Sequence, residues 1–435
     1  MSVRILTTAD LHIGRISSNS EWIDERGATR ETWHWLVDWV IENEVDVVAL
    51  AGDIVEHDNR YFEAVSALES GLSKLDEAGI NVFVVAGNHD YDVIPSILRD
   101  HGFDLVHLLG EGGSWDFKTV SLNGSDIQFT GWSFPGMHYH KDPLQNFPPG
   151  EVDRNIATIG LIHGDYNAGE SQYAPLQFSS LTEHGVNAWV MGHIHKPGIF
   201  NDSNPLIYYP GSPHALSPKE KETHGPVLLT VQDNRITGNE QIIFSPVRYE
   251  ELQIDISDKV SREEIRTEII HSCEAFAETL VEGVEHLKLL SIDVMLTGQF
   301  ENVPELENWL ENWDIQEFQS RKSGYLTVIR KVFHMCRVKV GNLEALSREP
   351  SPAGLLAQAI LDLEDGKSSE FIESLRHQAA DSISGLNVSG PYLVLRDSEE
   401  INQIDPNGNE VNELILKECH RLLSELIVLK EEGLQ

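Results

Sequence analysis

The stretch VFVVAGNHD, residues 82–90, is an apolar run that ends in a polar turn. Its first part, Val82–Ala86, is short and rich in β-branched and aromatic side chains, which predicts a buried β-strand. Gly87 allows the backbone to turn sharply where that strand ends. Residues 88–90 supply an amide, an imidazole and a carboxylate, so the strand is predicted to present three polar side chains at its carboxyl end.

Four more apolar runs in the first half of the chain end in a similar polar motif. They are Val3–Ala9 before Asp10-Leu11-His12, Val45–Ala51 before Gly52-Asp53, Ile156–Ile162 before His163-Gly164-Asp165, and Ala188–Met191 before Gly192-His193-Ile194-His195. Helical patterns at Thr29–Asn43 and Tyr61–Ala78 separate the early strands, and this alternation predicts an α/β layered domain. Ligands in such domains bind at the carboxyl ends of the strands, so the five motifs are predicted to share one site.

A second series of apolar runs predicts that the domain has two sheets. These runs are Ile127–Trp132, Leu206–Tyr209 and Val227–Val231. Their short length and β-branched content are typical of strands. We therefore expect a two-sheet sandwich flanked by helices.

The five motifs combine carboxylate, carboxamide and imidazole groups, which are ligands of divalent cations. Residues two apart in a strand point the same way, so Asp10 with His12, and His193 with His195, each offer two ligands to one place. A strand-end carboxylate such as Asp53 can bridge two metals. This mixture suits Mn²⁺, Fe²⁺ or Zn²⁺ better than Mg²⁺, which prefers oxygen ligands. Two adjacent cations indicate phosphate-ester chemistry.

The order of the motifs, D-x-H, GD, GNHD, HG and GHxH, resembles the signature of the calcineurin-like metallophosphoesterases. The local sequence around the motifs, together with Tyr209-Pro210-Gly211-Ser212-Pro213, is similar to that of the SbcD-type nuclease subunits of DNA break repair. The resemblance is strong over residues 1–240 and rests on layout alone over 245–340.

The resemblance implies two metal sites that share one ligand. One metal is expected on Asp10, His12, Asp53 and His195, and the other on Asp53, Asn88, His163 and His193. His89 matches the family's non-ligand histidine beside the scissile bond, and is expected to protonate the leaving oxygen while the metals activate a hydroxide. Asp53 and His89 are thus the expected catalytic residues. One departure is Glu56, followed by His57, where some members have a histidine three residues after the bridging Asp.

The resemblance further implies a DNA exonuclease, with endonuclease activity as an addition, that works with an SMC-like coiled-coil ATPase. A metallophosphoesterase that acts on a nucleotide or a phosphoprotein is the alternative. A third reading is a scaffold that binds a partner without catalysis, and the complete ligand set disfavours it. Manganese is the expected metal, with iron or zinc as alternatives.

The formal net charge of −38 argues against a nucleic-acid binder, because such proteins are usually basic. A basic stretch runs through Arg321, Lys322, Arg330, Lys331, Arg337 and Lys339. It reads either as a track for the DNA backbone or as solvated strand faces paired with local carboxylates.

No apolar run reaches the roughly 20 residues of a membrane span. With three scattered cysteines and no signal peptide, a cytoplasmic protein is expected.

Three domains are predicted from the changes in pattern: a phosphoesterase domain at 1–245, an α+β capping domain at 246–340 and a helical region at 341–435. In the phosphoesterase domain, the predicted helix Thr29–Asn43 has an apolar stripe made of Trp33, Leu36, Val37, Val40 and Ile41. Trp35 and Trp39 fall outside this stripe. They indicate either a homodimer surface or burial under a neighbouring segment. The final helix, Asn409–Glu432, is apolar over close to half its circumference, and is either the centre of a small bundle or a partner-binding helix.

Overall fold

The first half of the chain folds into two six-stranded sheets. The computed structural model describes residues 2–15, 29–56, 62–169, 171–280, 284–313, 315, 318–367, 369–387 and 409–432. The strands are β1 Val3–Thr8, β2 Val47–Ala51, β3 Asn81–Val85, β4 Val106–Leu108, β5 Asp116–Leu122, β6 Ser125–Trp132, β7 Ala157–His163, β8 Ala188–Gly192, β9 Gly198–Asn201, β10 Leu206–Tyr209, β11 Val227–Gln232 and β12 Arg235–Gln241. The sheets have the orders β12-β11-β1-β2-β3-β4 and β5-β6-β7-β8-β10-β9.

The predicted α/β architecture with two sheets is confirmed. β1 to β4 are parallel to one another, and β11 joins them antiparallel beside β1. β7 and β8 lie in the second sheet, parallel to β6 and β10. Each of the two series of predicted strands therefore contributes to both sheets, because the sheet that a strand enters depends on long-range pairing.

The core of this region lies between the sheets, where alternate residues of each strand meet. Phe83 of β3 and Phe129 of β6 stack with ring centroids 3.9 Å apart, and both are buried. The opposite faces of β1 to β3 are also buried, since Leu6, Val48 and Val82 belong to a second cluster with the helices. Strands buried on both faces read as continuous apolar runs, which is why the sequence pattern was clear.

In the described part of this region, four α-helices lie between the strands: α1 Thr29–Glu42, α2 Phe62–Glu77, α3 Val93–His101 and α4 Phe178–Glu183. Tyr61, the predicted start of the second helix, lies outside the described residues. The predicted core stripe of α1 is buried except for Ile41, which is 37% exposed because it falls at the end of the helix. Trp35 is half-buried, its ring lies 6.3 Å from that of His286, and the Nζ of Lys288 lies 5.8 Å from its centroid. These contacts favour burial under a neighbouring segment, and the homodimer remains a prediction.

The rest of the chain is an α+β segment followed by helices. Its elements are β13 Val247–Asp255, α5 Arg262–Thr279, β14 Leu289–Thr297, β15 Gln299–Phe300, α6 Val303–Glu311, β16 Gln319–Ser320, β17 Leu326–His334, β18 Arg337–Val338, α7 Leu343–Leu346, α8 Pro352–Glu364, α9 Glu370–Asn387 and α10 Asn409–Glu432. Four strands form a sheet in the order β13-β14-β17-β16, and β15 pairs with β18. Among all the residues that the structure describes, no helix is long and apolar enough to cross a membrane.

Contacts between Cα atoms divide the chain into two compact units. The first contains Met1–Glu250, Ala277–Ser291 and Ser320–Val328, and the second contains Glu251–Phe276, Ile292–Gln319 and Ile329–Gln435. The three domains and their boundaries near residues 246 and 341 remain a prediction.

The final helix, α10, is part of a small bundle within the second unit. It contacts α6, α8, α9 and β18. Cys419 and Leu423 on α10 share an apolar cluster with Ile360 and Ile372, while Leu414 and Leu429 on the same helix are exposed. This packing favours the bundle reading of the helix, and docking on another chain stays a prediction.

Candidate metal centre

The five motifs meet at one edge of the two sheets because each follows the carboxyl end of a strand. The backbone NH of Asp10 donates to the carbonyl of Gly52 at 3.0 Å, and that of His12 donates to the carbonyl of Asp53 at 3.0 Å. In the second sheet, the NH of Gly164 donates to the carbonyl of Gly192 at 3.0 Å. These bonds hold neighbouring motifs side by side within each sheet.

Gly87 is required for close packing at the centre. A Cβ at Gly87 would lie 2.1 Å from Oδ1 of Asp53, a distance that real Cβ atoms do not tolerate. The glycine of the GNHD motif therefore lets one strand end approach the predicted bridging carboxylate. Gly87 therefore does more than allow the turn that the sequence predicts.

Four of the predicted ligands have left-handed backbone conformations. Their φ angles are 53° at Asp10, 43° at His12, 51° at Asp53 and 107° at His193. Positive φ is uncommon for residues other than glycine and costs about 1–3 kcal/mol each, so such residues cluster at functional sites. These four residues lie in the turns that follow β1, β2 and β8.

One group of possible ligands consists of Asp10, His12 and His195, whose ligand atoms all lie within 4.8 Å of one another. The Nε2 atoms of His12 and His195 are only 3.1 Å apart. This group contains three of the four residues expected for the first metal. The fourth, Asp53, places Oδ2 4.0 Å from Nε2 of His12.

A second group consists of Asp10, Asp53 and His163, all of them buried. Nε2 of His163 lies 3.2 Å from Oδ2 of Asp53 and 3.1 Å from Oδ1 of Asn88. The remaining ligand expected for this metal, His193, stands at the side, with its ring 5.4 Å from that of His163. Its backbone NH donates to both carboxylate oxygens of Asp10, at 3.0 and 3.1 Å.

The charges in this centre fit a cation-binding site. Burial tends to raise the pKa of Asp53, but His163, His89 and His12 outweigh it and hold that pKa well below its usual range. Burial tends to lower the pKa of His163, yet Asp53 and Asp10 raise it to about 9. Positive charge on His163 thus balances the buried carboxylates. Carboxylate, imidazole and amide atoms that converge around this charge are suited to hold divalent cations.

His89 lies beside the two groups of possible ligands and contacts Glu56, the residue that departs from the family pattern. Nδ1 of His89 is 3.0 Å from Oε1 of Glu56, and the other oxygen of Glu56 is 3.1 Å from Nδ1 of His12. Burial tends to raise the pKa of Glu56, but its bonds to the two histidines hold the pKa far below its usual range. The backbone NH of His89 donates to Oδ1 of Asp53 at 2.9 Å. His57 lies outside the described residues.

Asp90 positions the backbone and not a metal. Its carboxylate accepts from the NH of Gly87 at 2.7 Å and from the NH of Ile54 at 2.5 Å. Burial, together with the charge of Asp53, raises the pKa of Asp90 to about 7. It joins the turn after β3 to the loop after β2.

Glu220 is a further contact of the centre that the sequence analysis missed. Its Oε1 lies 3.1 Å from Nδ1 of His195, and its Oε2 accepts from the NH of Leu216 at 2.8 Å. Glu220 is 7% exposed and belongs to no motif. A carboxylate on the far nitrogen of a metal-binding histidine orients the ring and directs the other nitrogen to the metal. Since it lies 25 residues beyond His195 in a loop, no local pattern could have identified it.

Three of the six residues of the basic stretch are engaged with carboxylates. Arg330 forms a two-pronged pair with Asp293. Arg337 lies 2.7 Å from Glu364, and Lys339 lies 3.7 Å from Glu301. These pairs favour the reading as solvated strand faces over a free track for DNA.

Residues 3–197 match the model of the calcineurin-like phosphoesterase family, a family of hydrolases that typically bind two divalent metals. The chain is 27% identical over 231 residues to the uncharacterized metallophosphoesterase YhaO of Bacillus subtilis. This alignment covers 51% of this chain and 54% of the relative. The chain is also 26% identical over 324 residues to the DNA double-strand break repair protein Mre11 of Methanopyrus kandleri. That alignment covers 68% of this chain and 65% of the relative.

A dimetal phosphatase from Danio rerio of known crystal structure is similar over 52% of this chain and 92% of its own, with 16% identity and a TM-score of 0.36. The chain spans about half to two thirds of the length of the two curated relatives, at 54% and 65%.

Proposed function

We propose that this phosphoesterase domain hydrolyses phosphodiester bonds of DNA, as an exonuclease that also has endonuclease activity. The observation that carries the proposal is the position of Asp53. Its Oδ2 lies 3.2 Å from Nε2 of His163 and 4.0 Å from Nε2 of His12, and its Oδ1 accepts from the backbone NH of His89 at 2.9 Å. A phosphodiesterase needs two cations close together and an acid beside them, and Asp53 lies next to a residue expected at each of these three places: His12, His163 and His89.

The residues would divide the work as follows. Asp10, His12 and His195 would hold one cation, Asn88, His163 and His193 the other, and Asp53 both. When bound, the two cations would supply a nucleophile at neutral pH and balance the charge on the phosphate. Glu220 would keep the ring of His195 in place through its Nδ1.

His89 would provide the proton for the leaving oxygen. Glu56 keeps its negative charge and accepts a hydrogen bond from Nδ1 of His89, so it stabilises the doubly protonated imidazole. The ring is then held with its Nε2 available to donate a proton to the departing oxygen. The side chain of His89 is 22% exposed, whereas that of His12 is 1% exposed, so His89 is the one a substrate can reach.

DNA as the substrate is supported by the extent of one similarity. The alignment with Mre11 runs over 324 residues and therefore extends well beyond the matched phosphoesterase domain, residues 3–197. The net charge of −38 and the paired basic stretch argue that the chain does not hold DNA by itself. We therefore propose an SMC-like coiled-coil ATPase as a partner that supplies DNA binding, with manganese as the metal, a homodimer as the assembly and the cytoplasm as the compartment.

A metal-dependent nuclease assay tests this proposal. Linear and hairpin-ended duplexes are incubated with Mn²⁺ and the wild type, Asp53→Ala or His89→Ala. Asp53→Ala is expected to lose both metal and cleavage, and His89→Ala to retain metal but lose most cleavage. Normal cleavage by both variants would reject the mechanism.

The alternative substrates give a different result in the same preparation. Rapid hydrolysis of a phosphomonoester or a cyclic nucleotide without cleavage of DNA would favour a nucleotide or phosphoprotein phosphoesterase. Purified protein that binds no metal at all would favour a scaffold.

A further inference from the structure

A polar pocket lies at the end of the sandwich opposite to the metal centre. Its volume is about 630 Å³, within the range of small-molecule sites. It is lined by residues that precede β7, β8 and β10 and by the start of β12. For β7 and β8 these are the amino ends of strands whose carboxyl ends carry expected ligands. A seven-residue strand such as β7 separates the two places by on the order of 20 Å.

Two arginines, Arg154 and Arg235, line this pocket, and a hydrogen bond holds their segments together. Nδ2 of Asn234 donates to the carbonyl of Asn155 at 2.8 Å. Arg154 directly precedes Asn155, and Arg235 directly follows Asn234 in the turn between β11 and β12. The two arginines therefore stand next to the two residues joined by this hydrogen bond, and both line the pocket.

Arg154 and Arg235 are unusual in this acidic chain because neither is paired. In the part of the chain that the structure describes, neither side chain has a hydrogen bond or a carboxylate partner. Most other arginines do form ion pairs: Arg15, Arg30, Arg99, Arg248, Arg266, Arg330, Arg337, Arg376 and Arg421. With 70 acidic and 32 basic residues, two unpaired guanidinium groups on one pocket leave a local positive charge.

The remaining lining is suited to hydrogen bonding, and part of it is already ordered. Oδ1 of Asn187 accepts from the NH of Thr158 at 2.8 Å, and the hydroxyl of Ser203 donates to Asn201 at 3.0 Å. Asp202 is the one carboxylate among the described residues that line the pocket, and it pairs with neither arginine. The lining thus offers donors around the two cations.

We propose that this pocket binds a phosphate group, carried by a small nucleotide or by a nucleic-acid backbone. Guanidinium groups bind phosphate oxygens through paired, charge-assisted hydrogen bonds, and two of them match the several oxygens of one phosphate. Amide and hydroxyl side chains around them suit a sugar or a base edge. The pocket is a second phosphate site, separate from the metal centre and independent of the activity proposed for it.

Calorimetric titration tests the second site. The full-length protein carries Asp53→Asn and is kept in chelator, so that phosphate does not bind through metal ions. Inorganic phosphate, deoxyadenosine monophosphate and a single-stranded dodecamer are the three probes. The double variant Arg154→Gln/Arg235→Gln is compared with Arg348→Gln, an exposed arginine with no side-chain partner in the described residues.

We expect at least one probe to bind, the double variant to weaken it tenfold or more, and the control to leave it unchanged. Binding of phosphate and the mononucleotide assigns the pocket to a small ligand, and binding of the dodecamer alone assigns it to a nucleic-acid backbone. The proposal is overturned if no probe binds at millimolar concentration, or if the double variant binds as the wild type does. Because both arginines are exposed, an unchanged melting temperature will show that the variant is folded.

Discussion

Glu56 and Glu220 are single residues that act on the metal centre from outside its five motifs. Each is a largely buried carboxylate that contacts Nδ1 of a histidine: Glu56 contacts His12 and His89, and Glu220 contacts His195. The other ring nitrogens of His12 and His195, both Nε2, lie 3.1 Å apart at the place where the first metal is expected. The chemistry of the histidines thus depends on carboxylates that are not expected to bind the metal themselves.

Replacement of Glu56 by glutamine should lower the rate of phosphodiester cleavage by about 100-fold, because general acid catalysis contributes about 10² to 10⁴. The neutral amide would no longer stabilise a positively charged His89. Metal content, measured by elemental analysis, should remain near two per chain, since none of the seven expected ligands is changed. A variant with full activity would show that Glu56 has no part in the proton transfer.

Replacement of Glu220 by glutamine should weaken metal binding by about 10- to 100-fold, the usual effect of losing such an orienting contact. The measurement is a competition with a chelating dye. Glu240→Gln is a matched control, because Glu240 is exposed and lies on β12, away from the five motifs. Equal affinities of the two variants would contradict an orienting role for Glu220.

At the scale of elements, the metal centre results from strands that end at the same place. β1, β2 and β3 of one sheet and β7 and β8 of the other each run directly into a motif. The close approach of their ends depends on glycine. A side chain at Gly52 would lie 2.6 Å from Nδ1 of His163, just as one at Gly87 would collide with Asp53.

Gly87→Ala should therefore displace Asp53 and remove metal and activity together. The added Cβ would lie 2.1 Å from Oδ1 of Asp53 and 2.6 Å from its backbone nitrogen, so a small side-chain movement does not relieve the clash. Gly341→Ala is the control, because a Cβ there meets nothing within 4 Å. Metal content and melting temperature are the measurements. Wild-type metal content in Gly87→Ala would argue against Asp53 as the bridging ligand.

At the scale of the whole molecule, the two compact units differ in what they bury. The first buries the charged groups of the candidate metal centre, where carboxylates and histidines balance one another. The second buries His420, and neither of its ring nitrogens has a hydrogen-bond partner among the described residues. Burial, with the charge of Arg337, lowers the pKa of His420 to about 4.

The second unit should therefore lose stability in mild acid. An unfolded histidine with a pKa near 6.5 binds a proton before folded His420 does, so stability is retained at neutral pH and falls as the pH drops from about 6.5 to about 4. The loss from this group is at most about 3 kcal/mol. Hydrogen exchange of α10 between pH 7 and pH 4 is the measurement. His420→Leu should reduce the loss, whereas His271→Leu at an exposed position should not.

The sequence alone was sufficient for the strands and for their polar ends. Apolar runs such as Val82–Ala86 are buried on both faces, so their pattern is local and strong. Each run is followed by its motif, and the carboxyl ends of parallel strands meet at one edge of a sheet. The convergence of Asp10, Asp53 and His163 could for this reason be predicted from order and spacing.

Only the tertiary structure decided how the strands divide between two sheets, and which residues outside the motifs contact the centre. Glu56 lies 33 residues from His89 and Glu220 lies 25 residues from His195, and the path of a loop determines each contact. The same holds for Arg154 and Arg235, which come together through the turn before β12. Such contacts depend on long-range packing, and a local sequence pattern does not record long-range packing.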